Sequence, residues 1–255
     1  MNWSHGPLMA EIYQARTPVG HSYGDVEYYT RHLAGIKGKI LEMGSGTGRI
    51  LVRLLEADFD VEGLEHSPDM IAICRANCES RGFAPALHEG NMTSFVNPEA
   101  YEAVIIPAGT ITNLDGRELT RAALECCWQS LVPGGRFILD LEIPGLLTGP
   151  QQPLKLWRSG EDLWTIEIVH STFNPAKNQM VEYVRYEKWT SGRLMGTELH
   201  MFRTQHWVPE EFAALLREVG FVDVRITANY DDDARPGPRD NDWSFHATKP
   251  EATTD

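Results

Sequence analysis

From Lys39 onward, short apolar runs alternate with longer stretches whose apolar residues recur at helical spacing. That alternation is the pattern of a parallel sheet covered by helices. Lys39–Met43, Phe59–Glu65, Ala86–Glu89, Tyr101–Pro107 and Arg136–Glu142 read as strands, with helices over Gly48–Ala57, Pro68–Ser80 and Arg117–Leu131 between them. Pro68 opens its helix where a missing N–H costs nothing, and Pro133–Gly135 reads as a turn into the next strand. The repeating unit is βαβ.

After "DLEIPG" the texture changes to β-branched and aromatic residues. Asp162–Phe173, Gln179–Trp189 and Gly196–Trp207, separated by "NPAKN" and "SGR" turn signals, predict an antiparallel meander added to the main sheet. In the last of these, alternation puts Glu198, His200, Phe202 and Thr204 on one face and Leu199, Met201, Arg203 and Gln205 on the other. Only one face can line a pocket, and the pattern leaves open which. A helix over Pro209–Val219, ended by Gly220, then precedes strands at Phe221–Tyr230 and Trp243–Thr248.

Composition narrows the function. At 255 residues and 42% hydrophobic content, the chain can bury a sizeable core. Its net charge of −13 argues against a surface that tracks nucleic-acid phosphates and favours a small-molecule ligand. The start "MNWSHGPLMAEIYQAR" lacks the pattern of a secretion signal, and no apolar run is long enough to span a membrane, so the expectation is a soluble, cytoplasmic protein. The pairs Cys74/Cys78 and Cys126/Cys127 suggest neither a disulfide framework nor a zinc site, and no metal is expected.

Chemistry concentrates at "LEMGSGTGRI". A strand, a turn carrying Gly44, Gly46 and Gly48, and a helix create exposed N–H groups where a ligand can approach the backbone closely. A dinucleotide fingerprint begun at Gly44 would need glycine where Arg49 stands. Glu42 would also repel a pyrophosphate there, whereas it suits a ligand bearing an ammonium and a sulfonium, such as S-adenosylmethionine. A tight turn with no ligand is the plain alternative. Glu65 follows Gly44 by 21 residues at the end of the next strand, near the spacing of an acid that accepts both ribose hydroxyls; a solvated surface glutamate is its alternative.

Taken in order, "LEMGSGTGR", "VEGLEHSPDMI", "EGNM", "YEAVIIPAGTI", "LVPGGRFILDL" and "FAALLREVGFVDV" resemble the class I S-adenosylmethionine-dependent methyltransferases, over about Tyr13 to Lys249. The resemblance implies a Rossmann-like, seven-stranded, mostly parallel α/β sheet with helices on both faces, a C-terminal antiparallel hairpin and a small antiparallel β insertion. It divides the chain into lid helices (1–36), a donor-binding core (37–145), an acceptor cap (146–207) and the core's completion (208–255). The inserted meander is like that of glycine and antibiotic-sugar N-methyltransferases.

The resemblance also implies roles. Glu42, Gly44, Ser45, Gly46 and Gly48 would hold the methionine end of S-adenosylmethionine and its product S-adenosylhomocysteine, and Glu65 the ribose diol. His66, Met70 and Met92 would lie along the adenine, whose amino group the carbonyl of Asn91 would accept. Pro107, Ala108 and Gly109 would form a floor beneath the sulfonium, and Tyr13 would reach over the methyl group from a lid helix.

Candidates to act at the acceptor are Tyr13, Arg203 and His200. Arg203 would pair an acceptor's carboxylate or polar heterocycle, with an ion pair to a nearby glutamate as the equal alternative. Tyr28 and Tyr29 are expected in the core and His21 in solvent. The reaction so implied is in-line methyl transfer to nitrogen or oxygen of a small molecule, a secondary metabolite or heterocycle among the candidates, by positioning more than by covalent help. A nicotinamide-dependent oxidoreductase and a non-catalytic S-adenosylmethionine-binding protein stand as alternatives, and the oligomeric state is not legible.

Overall fold

The computed structural model describes residues 6–142, 154–237, 240 and 242–252. The expected junction between residues 145 and 146 lies outside them. Two helices come first, α1 (Pro7–Arg16) and α2 (Asp25–His32), followed by β1 (Ile40–Met43), α3 (Arg49–Glu56), β2 (Val61–Glu65), α4 (Pro68–Glu79) and β3 (Leu87–Glu89). Then come β4 (Tyr101–Ile106), a short 3-10 turn (Thr110–Asn113), α5 (Arg117–Ser130) and β5 (Leu131–Glu142). Strands β6 (Leu154–Ser159), β7 (Asp162–Asn174), β8 (Gln179–Thr190) and β9 (Arg193–Gln205) precede α6 (Pro209–Val219), β10 (Val222–Ala228) and β11 (Asp242–Thr248).

The main sheet runs β10-β11-β5-β4-β1-β2-β3, parallel except for β11, which is antiparallel to both its neighbours. This is the expected seven-stranded α/β sheet with its C-terminal hairpin. Strands β1 and β2 are buried at every position, as central parallel strands covered on both faces must be. One face packs on α5 and α6 through Leu124, Phe212, Leu216 and Phe245; the other packs on α2, α3 and α4 through Tyr28, Leu51, Cys74 and Cys78. All four cysteines are buried free thiols. Ser67 caps α4, its Oγ accepting from Met70 N at 3.3 Å, with Pro68 in the first turn as expected.

Three local expectations need correction. Leu131 does not end a helix but begins β5 opposite Tyr101; the ladder resumes only at Ala103 and Arg136, with the Pro133–Gly135 turn bulging between. Gly134 N and Lys249 N bond to Lys249 O and Gly135 O, which ties that bulge to the end of β11. Among the described residues the meander has four strands, not three: β6, a six-residue edge strand too short to stand out in the sequence, pairs with β7 at Leu154↔Glu167 through Ser159↔Asp162. It also forms its own sheet, ordered β6-β7-β8-β9, rather than extending the main one.

Chain direction places the site. From β1 the chain winds to β2 and β3 on one side and later to β4 and β5 on the other, so a crevice opens beyond the carboxyl ends of β1 and β4. Over that end lie α1 and the four-stranded sheet, joined to α4 by a cluster of Met9, Ala10, Ile12, Met70, Trp164, Val184 and Tyr186. Among the described residues, no helix is long and apolar enough to cross a membrane.

Candidate active site

The turn after β1 is compressed against its surroundings. Gly44, Gly46 and Gly48 have φ of 76°, 54° and 84°, a region side chains disfavour. A Cβ on Gly44 would stand 2.4 Å from Thr110 Cγ2, and one on Gly48 2.7 Å from Cys74 Sγ. Gly46 differs: the one atom within 4 Å of its would-be Cβ is Tyr13 Cε1, at 3.9 Å. Gly44 and Gly48 are therefore glycines for packing, while Gly46 borders open space beneath the tyrosine carried by α1. Ser45, buried in the same turn, passes its N–H to Leu64 O.

Two buried carboxylates flank this turn. Glu65 ends β2, and its Oε1 accepts from His66 N and Ser67 N at 2.8 Å while Oε2 accepts from Gly46 N at 3.0 Å. Those bonds fix the carboxylate against the glycine turn and leave Oε2 a further lone pair for a hydroxyl. Glu42 is only 3% exposed, and among the described residues its Oε2 has no hydrogen-bond partner. Burial pushes its pKa up to about 8; Arg49 opposes the rise, and Asp25 and Glu65 add to it. An unpartnered acid at this depth fits a cationic ligand group and not a phosphate.

Arg49, which departs from the dinucleotide pattern, forms a buried ion pair with Asp25, Nη1–Oδ1 being 3.0 Å and Nη2–Oδ2 2.5 Å. Nη1 also donates to His21 O, so the residue joins the start of α3 to the segment before α2. Burial would raise the Asp25 pKa, but Arg49 together with the N–H groups of Tyr23 and Val26 holds it below the usual range. His21, expected in solvent, is half-buried: among the described residues its Nε2 is buried without a partner.

A cavity of about 290 Å³ extends from Gly44 and Glu65 past His66, Asn91 and Met92 to Thr110, Asp115 and Phe202. Phe202 comes from β9, which answers the question of faces: the Glu198–His200–Phe202–Thr204 face turns toward the crevice, while Leu199 and Met201 are exposed. Met70 is not among the lining residues. It is buried beneath α1 and the four-stranded sheet, because the first turn of α4 faces that way. The Asn91 carbonyl is also not open as expected, since Thr93 N and Thr93 Oγ1 both donate to Oδ1 at 2.9 Å in a local turn. The amide of Asn91 thus offers a ligand its N–H groups.

Pro107, Ala108 and Gly109 leave β4 in a strained conformation, φ being 56° at Ala108 and 63° at Gly109. Thr110 N and Oγ1 close the turn onto Pro107 O at 3.2 and 2.7 Å. Ala108 N donates at 2.9 Å to Asp140, a fully buried residue of β5 that also receives Tyr29 Oη at 2.8 Å and Tyr230 Oη at 3.1 Å. Burial raises the Asp140 pKa to about 7 against those hydrogen bonds. This group was missed in the sequence; the available signal was an acid amid the apolar "FILDL". Tyr28 and Tyr29 are in the core as expected.

The remaining candidates are paired. Arg203 Nη1 meets Asp115 Oδ2 at 3.1 Å, an aspartate rather than a glutamate, and Gln179 Nε2 reaches the same side chain at 2.5 Å. His200 Nε2 lies 2.9 Å from Glu198 Oε2, and His200 does not line the cavity. Asp115, Thr110 and Leu119 are lining residues that sequence reasoning did not single out.

Residues 40–135 match the family model of a methyltransferase domain. A methyltransferase of a Geobacillus species is 24% identical over 202 residues, covering 77% of this chain and 78% of that protein. The dTDP-3-amino-3,6-dideoxy-alpha-D-glucopyranose N,N-dimethyltransferase of Streptomyces fradiae is 34% identical over 101 residues, 40% of this chain and 38% of that one. Among solved structures, an S-adenosylmethionine-bound amino pentose methyltransferase from Micromonospora echinaspora, involved in calicheamicin biosynthesis, superposes with a TM-score of 0.68 at 21% identity, over 94% of this chain and 95% of that one.

Proposed function

We propose that this chain, a class I S-adenosylmethionine-dependent methyltransferase by its fold and its domain at residues 40–135, methylates nitrogen or oxygen of a small molecule held between α1 and the four-stranded cap. The observation that carries the reading is the single cavity shared by Glu65 and Asn91 of the core and Phe202 of the cap. S-adenosylmethionine, when bound, supplies a methyl group on a sulfonium, open to in-line attack. What remains for the protein is to hold, aim and keep dry.

Glu65 is placed to accept the ribose hydroxyls and the buried Glu42 to meet the methionine ammonium, with Gly46 leaving room for both. Tyr13 covers the turn from α1, and the strained Pro107–Gly109 turn, held through Asp140, lies at the reacting end. Asp115 lines the cavity, and Arg203 reaches it only through its pair with Asp115. Asp115 is already bound by Arg203 and Gln179, so an amine, which needs only to arrive deprotonated, suits this cavity better than an alcohol needing a free base. The Streptomyces and Micromonospora proteins, named for amino-sugar substrates, support an aminated sugar or similar polar ring as acceptor.

Calorimetric binding of S-adenosylhomocysteine to the wild type, Glu65→Ala and Gly46→Val, with NAD as control, tests the donor site. Binding lost in both variants and absent with NAD supports it; a folded wild type that binds NAD instead overturns it. Label transfer from S-adenosylmethionine to a panel of amino sugars and aromatic amines then tests the acceptor.

A further inference from the structure

We propose that Glu198 is a positioning residue for the donor site: from the acceptor cap it holds α1, and through α1 it sets Tyr13 over the glycine turn. The inference rests on the donor reading above. Helix α1 begins at Gly6 with no side-chain cap of its own. Its first free N–H groups, Leu8 and Met9, donate at 3.0 and 3.1 Å to the two carboxylate oxygens of Glu198, some 190 residues later on β9. A carboxylate at a helix N-terminus satisfies orphan donors and the helix dipole together.

The approach is made possible by the residue at the start of the helix. A Cβ on Gly6 would stand 2.4 Å from Glu198 Oε2, so any larger residue displaces the carboxylate. His200 Nε2 holds the same oxygen at 2.9 Å, which gives this histidine its place beside Glu198. A second tie lies one turn along, where Lys188 Nζ and Trp164 Nε1 of the cap reach Glu11 at 2.5 and 3.2 Å.

The far end of α1 is tied to the core instead. Gln14 and Asn77 exchange amide bonds at 3.3 and 3.1 Å, and Asn77 Nδ2 donates at 2.8 Å to Thr47 O, inside the glycine turn. Tyr13, one residue before Gln14, brings its ring to Gly46. A helix this short is marginal alone in water, so its place is set by what holds its ends. Helix α1 is a strut with one end on the cap and the other on the donor turn. Donor binding and the placement of the cap are coupled through it.

The test uses the full chain, S-adenosylhomocysteine calorimetry and amide hydrogen exchange on Gly6→Ala, Glu198→Ala, Glu198→Gln and the double variant Gly6→Ala/Glu198→Ala. Expected is faster exchange confined to α1 and the glycine turn, with affinity down about tenfold in Glu198→Ala and less in Glu198→Gln. Gly6→Ala weakens binding in the wild type but adds nothing once Glu198 is alanine, because both act on one contact. Additive effects, or affinities within about twofold of wild type, overturn the strut. Should Glu198→Ala not fold, Glu198→Gln and Gly6→Ala carry the test. Exchange in α1 is read without ligand, so a wild type that binds no S-adenosylhomocysteine brings down the donor reading separately from the Glu198 clamp.

Discussion

The proposed donor side and the proposed acceptor side of the crevice are built in opposite ways. On the donor side, backbone N–H groups and two buried acids lie within one βαβ unit, from Glu42 to Ser67, and close packing forces the glycines at Gly44 and Gly48. On the acceptor side, each contact joins distant parts of the chain: Arg203 to Asp115, Gln179 to Asp115 and Glu198 to Leu8. The first arrangement keeps an unpartnered buried acid; the second is held by one half-exposed ion pair, which water and salt weaken, and by hydrogen bonds between separate elements. The donor turn is thus assembled from neighbours in sequence, whereas the cap is assembled by contacts that only the folded chain brings together.

The largest expected effect concerns Asp140, the buried acid of β5 that holds the turn after β4. Its folded pKa of about 7 lies above its unfolded value near 4, so the stability it contributes is present at low pH and lost as pH rises through 7. Between pH 5 and pH 8, denaturant unfolding of the wild type falls by about 3 kcal/mol relative to Asp140→Asn, which has no proton to lose there. A constant difference would mean that the donor side holds no buried titrating acid at this position.

Gly46→Val comes next. Its Cβ meets little protein, so the chain keeps its fold and loses about 1–2 kcal/mol of stability to the positive φ. S-adenosylhomocysteine affinity falls at least about a hundredfold by calorimetry, some 3 kcal/mol. Retained affinity would mean that the open space is not the ligand's.

Glu42 sharpens the contrast through protons. With a pKa near 8 when unliganded and a cation to meet when liganded, it gives up a proton on binding. Affinity for S-adenosylhomocysteine therefore rises up to about tenfold per pH unit from pH 6 to pH 8 and levels above. Calorimetry in buffers of differing ionisation heat reads the released proton, and Glu42→Gln abolishes it.

The smallest effect belongs to the cap. Arg203→Ala removes a half-exposed ion pair worth at most about 1 kcal/mol in thermal or denaturant unfolding. S-adenosylhomocysteine binding stays within about twofold. Its cost falls on acceptor KM, and a loss of donor binding instead would erase the distinction between the two sides.

Much of this was legible along the chain because it is local. The glycine turn, the acid at the end of β2, the βαβ order and the hairpin of β10 and β11 each depend on residues close in sequence, or on a periodicity that burial on a sheet enforces. What the pattern missed has a common cause. Strand β6 is a six-residue edge strand whose Leu154 and Leu156 remain exposed, too short a run to stand out along the chain, and Asn91 is taken by Thr93 in a turn that composition does not distinguish from an open amide. Asp140, an acid inside the apolar "FILDL", gains its role only from Tyr29, Tyr230 and Ala108, which the fold brings to it from far along the chain.

The linear order of residues, by itself, determined the sheet, its crevice and the chemistry of the donor turn, because backbone conformation and hydrophobic period are properties of neighbours. The tertiary structure alone decided which face of β9 meets the cavity, where Met70 points, and that Glu198 caps a helix near the other end of the chain. Those outcomes depend on which side chains arrive opposite one another when separate elements pack. Contacts between elements far apart in sequence leave no period along the chain to read.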